Sequence, residues 1–537
     1  MIGMSDKQPI YVLPENVQRT FGKDAQRNNI LAARVIAEVV KSTLGPKGMD
    51  KMLVDSTGNI VVTNDGVTIL EEMEIDHPAA KMVVEIAKTQ EAEVGDGTTT
   101  VAMLAGKLLE NAEALLDKKI HPTVIAKGYR LAAEKSKEIL KEIGIDVNER
   151  ETLRKIAMTA MTGKGAEGNR EKLGDLIVRA IDQVSSGSEV DIGDIKIEKL
   201  KGDEIGNSEL IQGIVLDKEV ANESMPKKIK GAKIALVDFP LELKSPETEA
   251  RISVSSPEQL QSFIESEERY LKEITSRLIG SGANVVFCQK GIDDVAQYYL
   301  AKAGIMACRR IAKSDMDKLA RATGGKIVSN MGEVSEENFG KAGIVEEIRK
   351  GDDGMVYVKD CENPKAVTIL VKGSTVHVVD EIERAVKDGI GDVIAAVKSK
   401  KVVAGGGAVE IELSKRLRQY SRTLGGREQL AVEVFADALE FIPETLAENA
   451  GLDPIDILTE LKKRHESGMM RDGINLFNNK IEDCFAAGIV EPLKVKTQAI
   501  SSASEVAIMI LRIDDVLVSS GSNKGPKGGM NPYAGMD

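Results

Sequence analysis

Asp96 stands between two glycines in the stretch GDGTTT (residues 95–100), and three threonines follow it. Glycine lets a backbone approach a ligand closely. Thr98, Thr99 and Thr100 open an apolar-patterned run, so they offer hydroxyls and free N–H groups where a helix dipole favours an anion. The threonine end suits a phosphate, and the aspartate by itself repels one. A hard divalent cation reconciles the two, because Mg²⁺ binds one or two carboxylates together with phosphate oxygens. The plainer reading of G-D-G-T taken alone is an Asx turn capping a helix.

The chain holds more pieces of the same kind. TLGPKG (43–48) is a second glycine loop and carries Lys47, NDGVT (64–68) offers Asp65 in a turn before a helix, and AGGGA (404–408) is a third glycine loop opening a helix. No G-x-x-x-x-G-K-[ST] occurs, which excludes a P-loop NTPase. Nor is there a G-x-G-x-x-G joined to H-R-D and D-F-G, which excludes a protein kinase.

Elements must position these loops. Residues 24–43 place Ile30, Leu31, Val35, Ile36 and Val39 at helical spacing and stop at LGPKG. KMLVDSTGNIVVTND reads as a hairpin around an STGN turn. Helical patterns resume near 78–92, 98–116 and 124–143, and His77-Pro78 and His121-Pro122 mark helix starts. The C-terminal portion is helical from Gly405 onward and ends in a strand-like IDDVLVS. The middle alternates strands (KIALVDF, ANVVFCQ, IMACRRI) with helices, the order of βαβ units on a partly parallel sheet. Within it, Ser256 is a natural N-cap, and Leu260, Phe263, Ile264, Leu271, Ile274 and Leu278 form one stripe up to Gly280. Composition makes this a surface helix packed on the sheet; a projecting helix that meets a partner is the sharper alternative.

Composition narrows the class. A chain of 537 residues is too long for one core and predicts two to four domains. Aromatics are 3% with no Trp, too few for stacking on single-stranded nucleic acid, and the net charge of −13 argues against a phosphate-backbone binder. Cys288, Cys308, Cys361 and Cys484 are scattered, as are the four histidines, so neither a zinc knuckle nor a histidine metal site is expected. The N-terminus lacks the apolar core of a signal peptide, and no run of 18 apolar residues predicts a membrane span.

In this order, TLGPKGMDKMLVD (43–55), VTNDGVTIL (62–70), EVGDGTTT (93–100), TGKGAE (162–167), AGGGAVE (404–410), LAENAGLDP (446–454) and VEPLKVKTQAI (490–500) resemble the chaperonins, of the archaeal group II type. The resemblance covers nearly the whole chain. It implies a multidomain α and α/β chaperonin fold: an equatorial domain from 1–149 and 405–521, an intermediate domain from 150–216 and 369–404, and an apical domain at 217–368. A helical protrusion near 245–280 would serve as a built-in lid, and 522–537 would be a disordered Gly/Met tail. It further implies an ATPase-driven folding chaperone of the cytoplasm. Its partners would be unfolded polypeptides and further subunits, the same or paralogous, in a double ring of about eightfold symmetry. No separate lid protein, nucleic acid or membrane is expected.

Site roles follow from the same resemblance. Thr43, Leu44, Gly45 and Pro46 would line ATP. Asp96 would bind Mg²⁺, with K⁺ as a further cation, and Gly97, Thr98, Thr99 and Thr100 would meet the phosphates. Gly406, Gly407 and Gly473 would lie against ribose or base, and Glu491 would accept from ribose hydroxyls. Asp65 and Asp388 would flank the γ-phosphate and orient water, with Lys164 as its sensor. A carboxylate of ordinary pKa is a weak base, so orientation is expected to matter more than proton removal. Gly389, beside Asp388, breaks the helical preference at a cost of about 1 kcal/mol. The competing classes are a ring or filament that binds ATP without folding anything, and a small metabolic phosphotransferase.

Overall fold

The computed structural model describes residues 17–147, 149–185, 190–242, 257–350 and 353–519. The Gly/Met tail, Ser256 and the segment before Pro257 lie outside the described residues.

The two ends of the chain share one core. Helices Gly22–Lys41, Pro78–Val94, Thr98–Asp117 and Pro122–Ile143 pack with Ala408–Ser421, Glu428–Asn449 and Leu493–Leu511. Tyr129 and Phe435 meet edge to face at 5.5 Å across that junction, and the Tyr129 hydroxyl donates to the Leu108 carbonyl at 2.6 Å. Strands Val17–Phe21 and Asp515–Ser519 pair antiparallel, with Phe21 opposite Asp515. His77 and His121 cap their helices, each followed by proline at the first helical position. The predicted hairpin forms from Lys51–Val54 and Ile60–Thr63.

The first helix corrects its predicted stripe. Leu31 and Val35 face solvent, and the buried face is Ala25, Ile30, Ala33, Ile36, Ala37 and Val40. The reason is close approach: a methyl at Gly106 would stand 2.4 Å from Ala37 Cβ, so this helix presents its alanines to helix Thr98–Asp117. Helix Glu428–Asn449 runs on through Pro443, a residue that breaks a helix in isolation.

A second core gathers helices Arg150–Ala160, Arg170–Val184 and Val376–Ser399 on strands Ile195–Lys201, Val367–Gly373 and Glu209–Ile211, through residues such as Ile177, Val371, Ile382 and Ile390. Gly389 sits in this helix contact, where a methyl would stand 2.8 Å from Ile177 Cδ1, so the glycine that costs helix propensity allows the approach. The middle of the chain builds a mixed sheet. Strands Lys228–Val237, Val285–Cys288 and Met306–Cys308 run parallel, and Gly340–Lys350, Asp353–Lys359 and Ile214–Leu216 extend the sheet antiparallel. Helix Pro257–Gly280 packs its C-terminal half on this sheet through Leu278 and Ile274, as the surface-helix reading expects.

Candidate functional site

The glycine loops converge on one cavity of about 290 Å³. Thr43, Leu44, Gly45, Pro46, Asp65, Asp96, Gly97, Thr98, Thr99, Thr100, Lys164, Gly406, Gly407 and Glu491 all line it. Gly45 and Gly97 both have φ of +81°, which only glycine adopts freely. Asn449 holds the first loop by donating to the Lys41 and Leu44 carbonyls at 3.0 and 2.9 Å. Thr43 spends its hydroxyl on the Val40 carbonyl at 2.8 Å.

Asp96 is not a helix cap. The N-cap of helix Thr98–Asp117 is Gly97, which has no side chain to satisfy the N–H groups of Thr98–Thr100. Among the described residues the Asp96 carboxylate has no hydrogen-bond or ion-pair partner. Gln90 Nε2 fixes the loop beneath it by donating to the Asp96 carbonyl at 2.9 Å. Capping belongs to Asp65, whose Oδ2 accepts from the Thr68 N–H at 2.9 Å and hydroxyl at 2.6 Å; its Oδ1 accepts from the Thr98 hydroxyl at 3.2 Å. A second glycine N-cap, Gly407, opens helix Ala408–Ser421 on the same cavity.

Lys164 and Asp388 reach the site together. They form an ion pair, with side chains only 15% and 11% exposed. Asp388 does not line the cavity; it stands behind Lys164 on helix Val376–Ser399. Burial lowers the Lys164 pKa, but Asp388, Asp96 and Asp65 outweigh it, so the ammonium stays charged. Burial also pushes the Asp388 carboxyl up to about 8; Lys164 opposes this, and Asp96 and Asp65 add to it. That corrects the expectation of an ordinary carboxylate, since a base with a pKa near neutral pH takes a proton more readily. The turn carrying Lys164 is docked on the loops: Asn64 Nδ2 donates to the Gly163 carbonyl at 2.8 Å, and a methyl at Gly163 would stand 2.7 Å from Pro46 Cα.

Gly473 also stands outside the lining. A methyl there would lie 2.7 Å from the Gly405 carbonyl oxygen, so Gly473 backs the 405–407 loop. Sequence reasoning missed four other groups. Lys496, itself buried, pairs with Glu491 Oε2 at 2.7 Å and Glu410 Oε1 at 2.9 Å, and so orients the carboxylate that faces the cavity. Arg170 and Phe477 line the cavity as well. Asp392, one turn beyond Asp388, is 2% exposed, and its Oδ1 has no partner. Burial raises the Asp392 pKa well above the ordinary value, and Asp96, Glu491 and Asp388 add to the rise. A lysine inside VEPLKVK, or one aspartate more on a charged helix, carries no local signal of burial.

The donor set fits a cation shared with phosphate. Among the described residues no three His, Cys, Asp or Glu side chains could hold a metal ion. One unpartnered carboxylate beside free helix N–H groups supplies part of a coordination shell and leaves the rest to phosphate oxygens and water. Asn64 adds a buried, unpaired Oδ1 at the cavity wall. Among the described residues no helix is long and apolar enough to cross a membrane.

The model of the TCP-1/cpn60 chaperonin family matches residues 36–520. The chain is 57% identical over 530 residues to thermosome subunit beta of Methanothermobacter thermautotrophicus, covering 99% of this chain and 98% of that protein. It is 58% identical over 520 residues to a thermosome subunit of Methanopyrus kandleri, covering 96% and 95%. A thermosome subunit of Pyrococcus horikoshii is 55% identical over 531 residues, covering 97% of each.

Proposed function

The chain belongs to the TCP-1/cpn60 chaperonin family, and on that premise we propose that it is a thermosome-type subunit that hydrolyses ATP to fold other proteins. The observation that carries the reading is the unpartnered Asp96 carboxylate beside the free N–H groups of Thr98–Thr100, with the Lys164–Asp388 pair docked above them. On this reading the shared core of the chain ends is the equatorial domain, the second core is the intermediate domain, and the mixed-sheet region is the apical domain. Subunits assemble into a cytoplasmic double ring that captures unfolded polypeptides and closes over them.

Each group of the cavity then has a task. The Thr98–Thr100 N–H groups hold phosphate oxygens through the helix N-terminus. Glu491, oriented by Lys496, accepts from the ribose hydroxyls. Asp96 would hold Mg²⁺, which neutralises phosphate charge when bound. Asp65 at the cavity wall orients the attacking water, and Asp388, set behind Lys164, joins it only when the second core moves closer onto the nucleotide; its raised pKa then suits it to take the proton. Phosphoryl transfer needs positioning and charge neutralisation above all. Lys164 and Asp388 ride on the second core while Asp65 and Asp96 belong to the first, so turnover depends on the two being docked.

The test is ATPase rate measured together with recovery of a chemically denatured enzyme, for wild type, Asp96→Ala and Asp388→Ala, with Mg²⁺ and after its removal. Light scattering on the wild type adds the assembly size: sixteen or so copies of a 57.9 kDa chain approach a megadalton. Loss of turnover and refolding together in both variants supports the reading. Hydrolysis without refolding by the assembled wild type would leave the nucleotide site standing and remove the chaperone function.

A further inference from the structure

Arg170 opens helix Arg170–Val184, and its guanidinium carbon lies 4.3 Å from the centroid of the Phe477 ring. The two residues come from different parts of the fold. The Arg170 helix is anchored in the second core by Leu173, Leu176 and Ile177, whereas Phe477 sits in the turn between strands Asp472–Asn475 and Lys480–Asp483. Both line the cavity; Phe477 is 46% exposed and Arg170 half-buried, which places the stack at the rim. Carboxylates of Asp65, Asp96 and Glu491 line the same cavity, yet among the described residues no carboxylate bonds Arg170.

The two sides of this contact differ in how they are held. The Phe477 N–H donates to Asn475 Oδ1 at 3.0 Å, and the Asn475 and Asn478 amides donate to Glu482 Oε1 at 2.6 and 3.0 Å. The turn that carries the ring is therefore fixed. Arg170 instead continues the turn that carries Lys164, through bonds from the Glu167 N–H to the Lys164 carbonyl at 3.0 Å and from the Asn169 N–H to the Ala166 carbonyl at 2.9 Å. Any movement of Lys164 off the phosphate loops pulls at the guanidinium.

We propose that Arg170 and Phe477 form a clasp across the mouth of the nucleotide cavity, which retains bound nucleotide until the Lys164 turn moves. The clasp rests on the reading of the cavity as an adenine-nucleotide site. It sets the escape of product, a step distinct from the chemistry at Asp96. Breaking a partly exposed cation–π contact speeds escape by about two- to five-fold.

The measurement is stopped-flow release of a fluorescent ADP from the full-length protein with Mg²⁺. Arg170→Ala and Phe477→Leu should each speed release about two- to five-fold. The double variant should release no faster than either single one, because both remove the same contact. Phe477→Tyr keeps the ring face and should release as the wild type does. Additive single effects, unchanged release in both single variants, or loss of retention in Phe477→Tyr would each overturn the clasp. So would an Arg170→Ala protein that releases ADP normally and binds ATP weakly, since the guanidinium would then be a phosphate ligand. A wild type that takes up no fluorescent ADP would instead sink the nucleotide reading of the cavity, and the clasp with it.

Discussion

Asp392→Ala should stabilise helix Val376–Ser399, although it deletes a polar group beside the site. The wild-type carboxyl is 2% exposed and its Oδ1 lacks a partner. A buried polar group left unsatisfied costs about 1–3 kcal/mol. The substitution leaves a void of roughly one water, ~30 Å³, worth ~0.7 kcal/mol at about 24 cal/mol per Å³. Alanine regains up to ~0.7 kcal/mol of helix propensity, which offsets the void. The net gain is therefore about 1–3 kcal/mol, read as roughly 5- to 150-fold slower hydrogen exchange in that helix. The effect has a signed pH dependence. A carboxyl whose folded pKa is raised stabilises the fold fully only below its unfolded value of 3.8, and loses that contribution as pH climbs toward the raised pKa. The variant lacks this loss, so its advantage widens from pH 5 to pH 7, by at most about 1.4 kcal/mol per pH unit. Mass-spectrometric exchange at both pH values tests this. Faster exchange in the variant, or a difference independent of pH, would mean that the carboxylate is ionised and bonded, and the reasoning would be wrong.

Three further outcomes follow from the same contacts. Asp388→Ala should bind ATP within a few-fold of wild type and turn over about 10²–10⁴-fold more slowly, measured by calorimetry and phosphate release; normal turnover would remove the docked second core from the reaction. Gly391→Ala should destabilise by about 1–3 kcal/mol, against the usual sign for glycine in a helix, because the new methyl would stand 2.9 Å from Gly95 Cα and from the Val94 carbonyl oxygen; urea unfolding reads it directly. Lys496→Met leaves the buried Glu410 and the half-buried Glu491 without their cation and should cost about 3–5 kcal/mol, and adding Glu491→Gln should recover part of that; a thermal melt and a nucleotide titration of both proteins decide it.

What the sequence makes legible is what has a short period or a strong punctuation residue. The loops at Gly45, Gly97 and Gly406, the proline starts at Pro78 and Pro122, and the alternation of strand and helix in the middle all show in a window of a dozen residues. The chemistry of Asp96 is legible because an acid beside a phosphate cradle demands a cation. Pairings across hundreds of residues have no such signature. Nothing near Lys496 announces that it is buried between two glutamates, and nothing near Arg170 announces Phe477. Leu31 and Val35 mislead because spacing alone cannot tell which side of a helix meets an alanine-lined neighbour. At Pro443 packing holds the helix through a residue that would end it in isolation, and a methyl at Gly407 would stand 2.7 Å from Pro443 Cβ.

The core shared by the chain ends also sets a timetable for biosynthesis. Its first helices are complete by Ile143, but Leu493–Leu511, which packs against them, is made much later. At about 5–20 residues per second, a ribosome needs roughly 20–75 s to span that interval. During it the mixed-sheet region can finish, because its strands from Ile214 to Lys359 are contiguous in sequence. The parts of the first helices that Leu493–Leu511 covers wait bare throughout. A nascent subunit is thus for a time a partly folded chain with exposed apolar surface, and strand Asp515–Ser519 pairs with Val17–Phe21 only after that helix has been made.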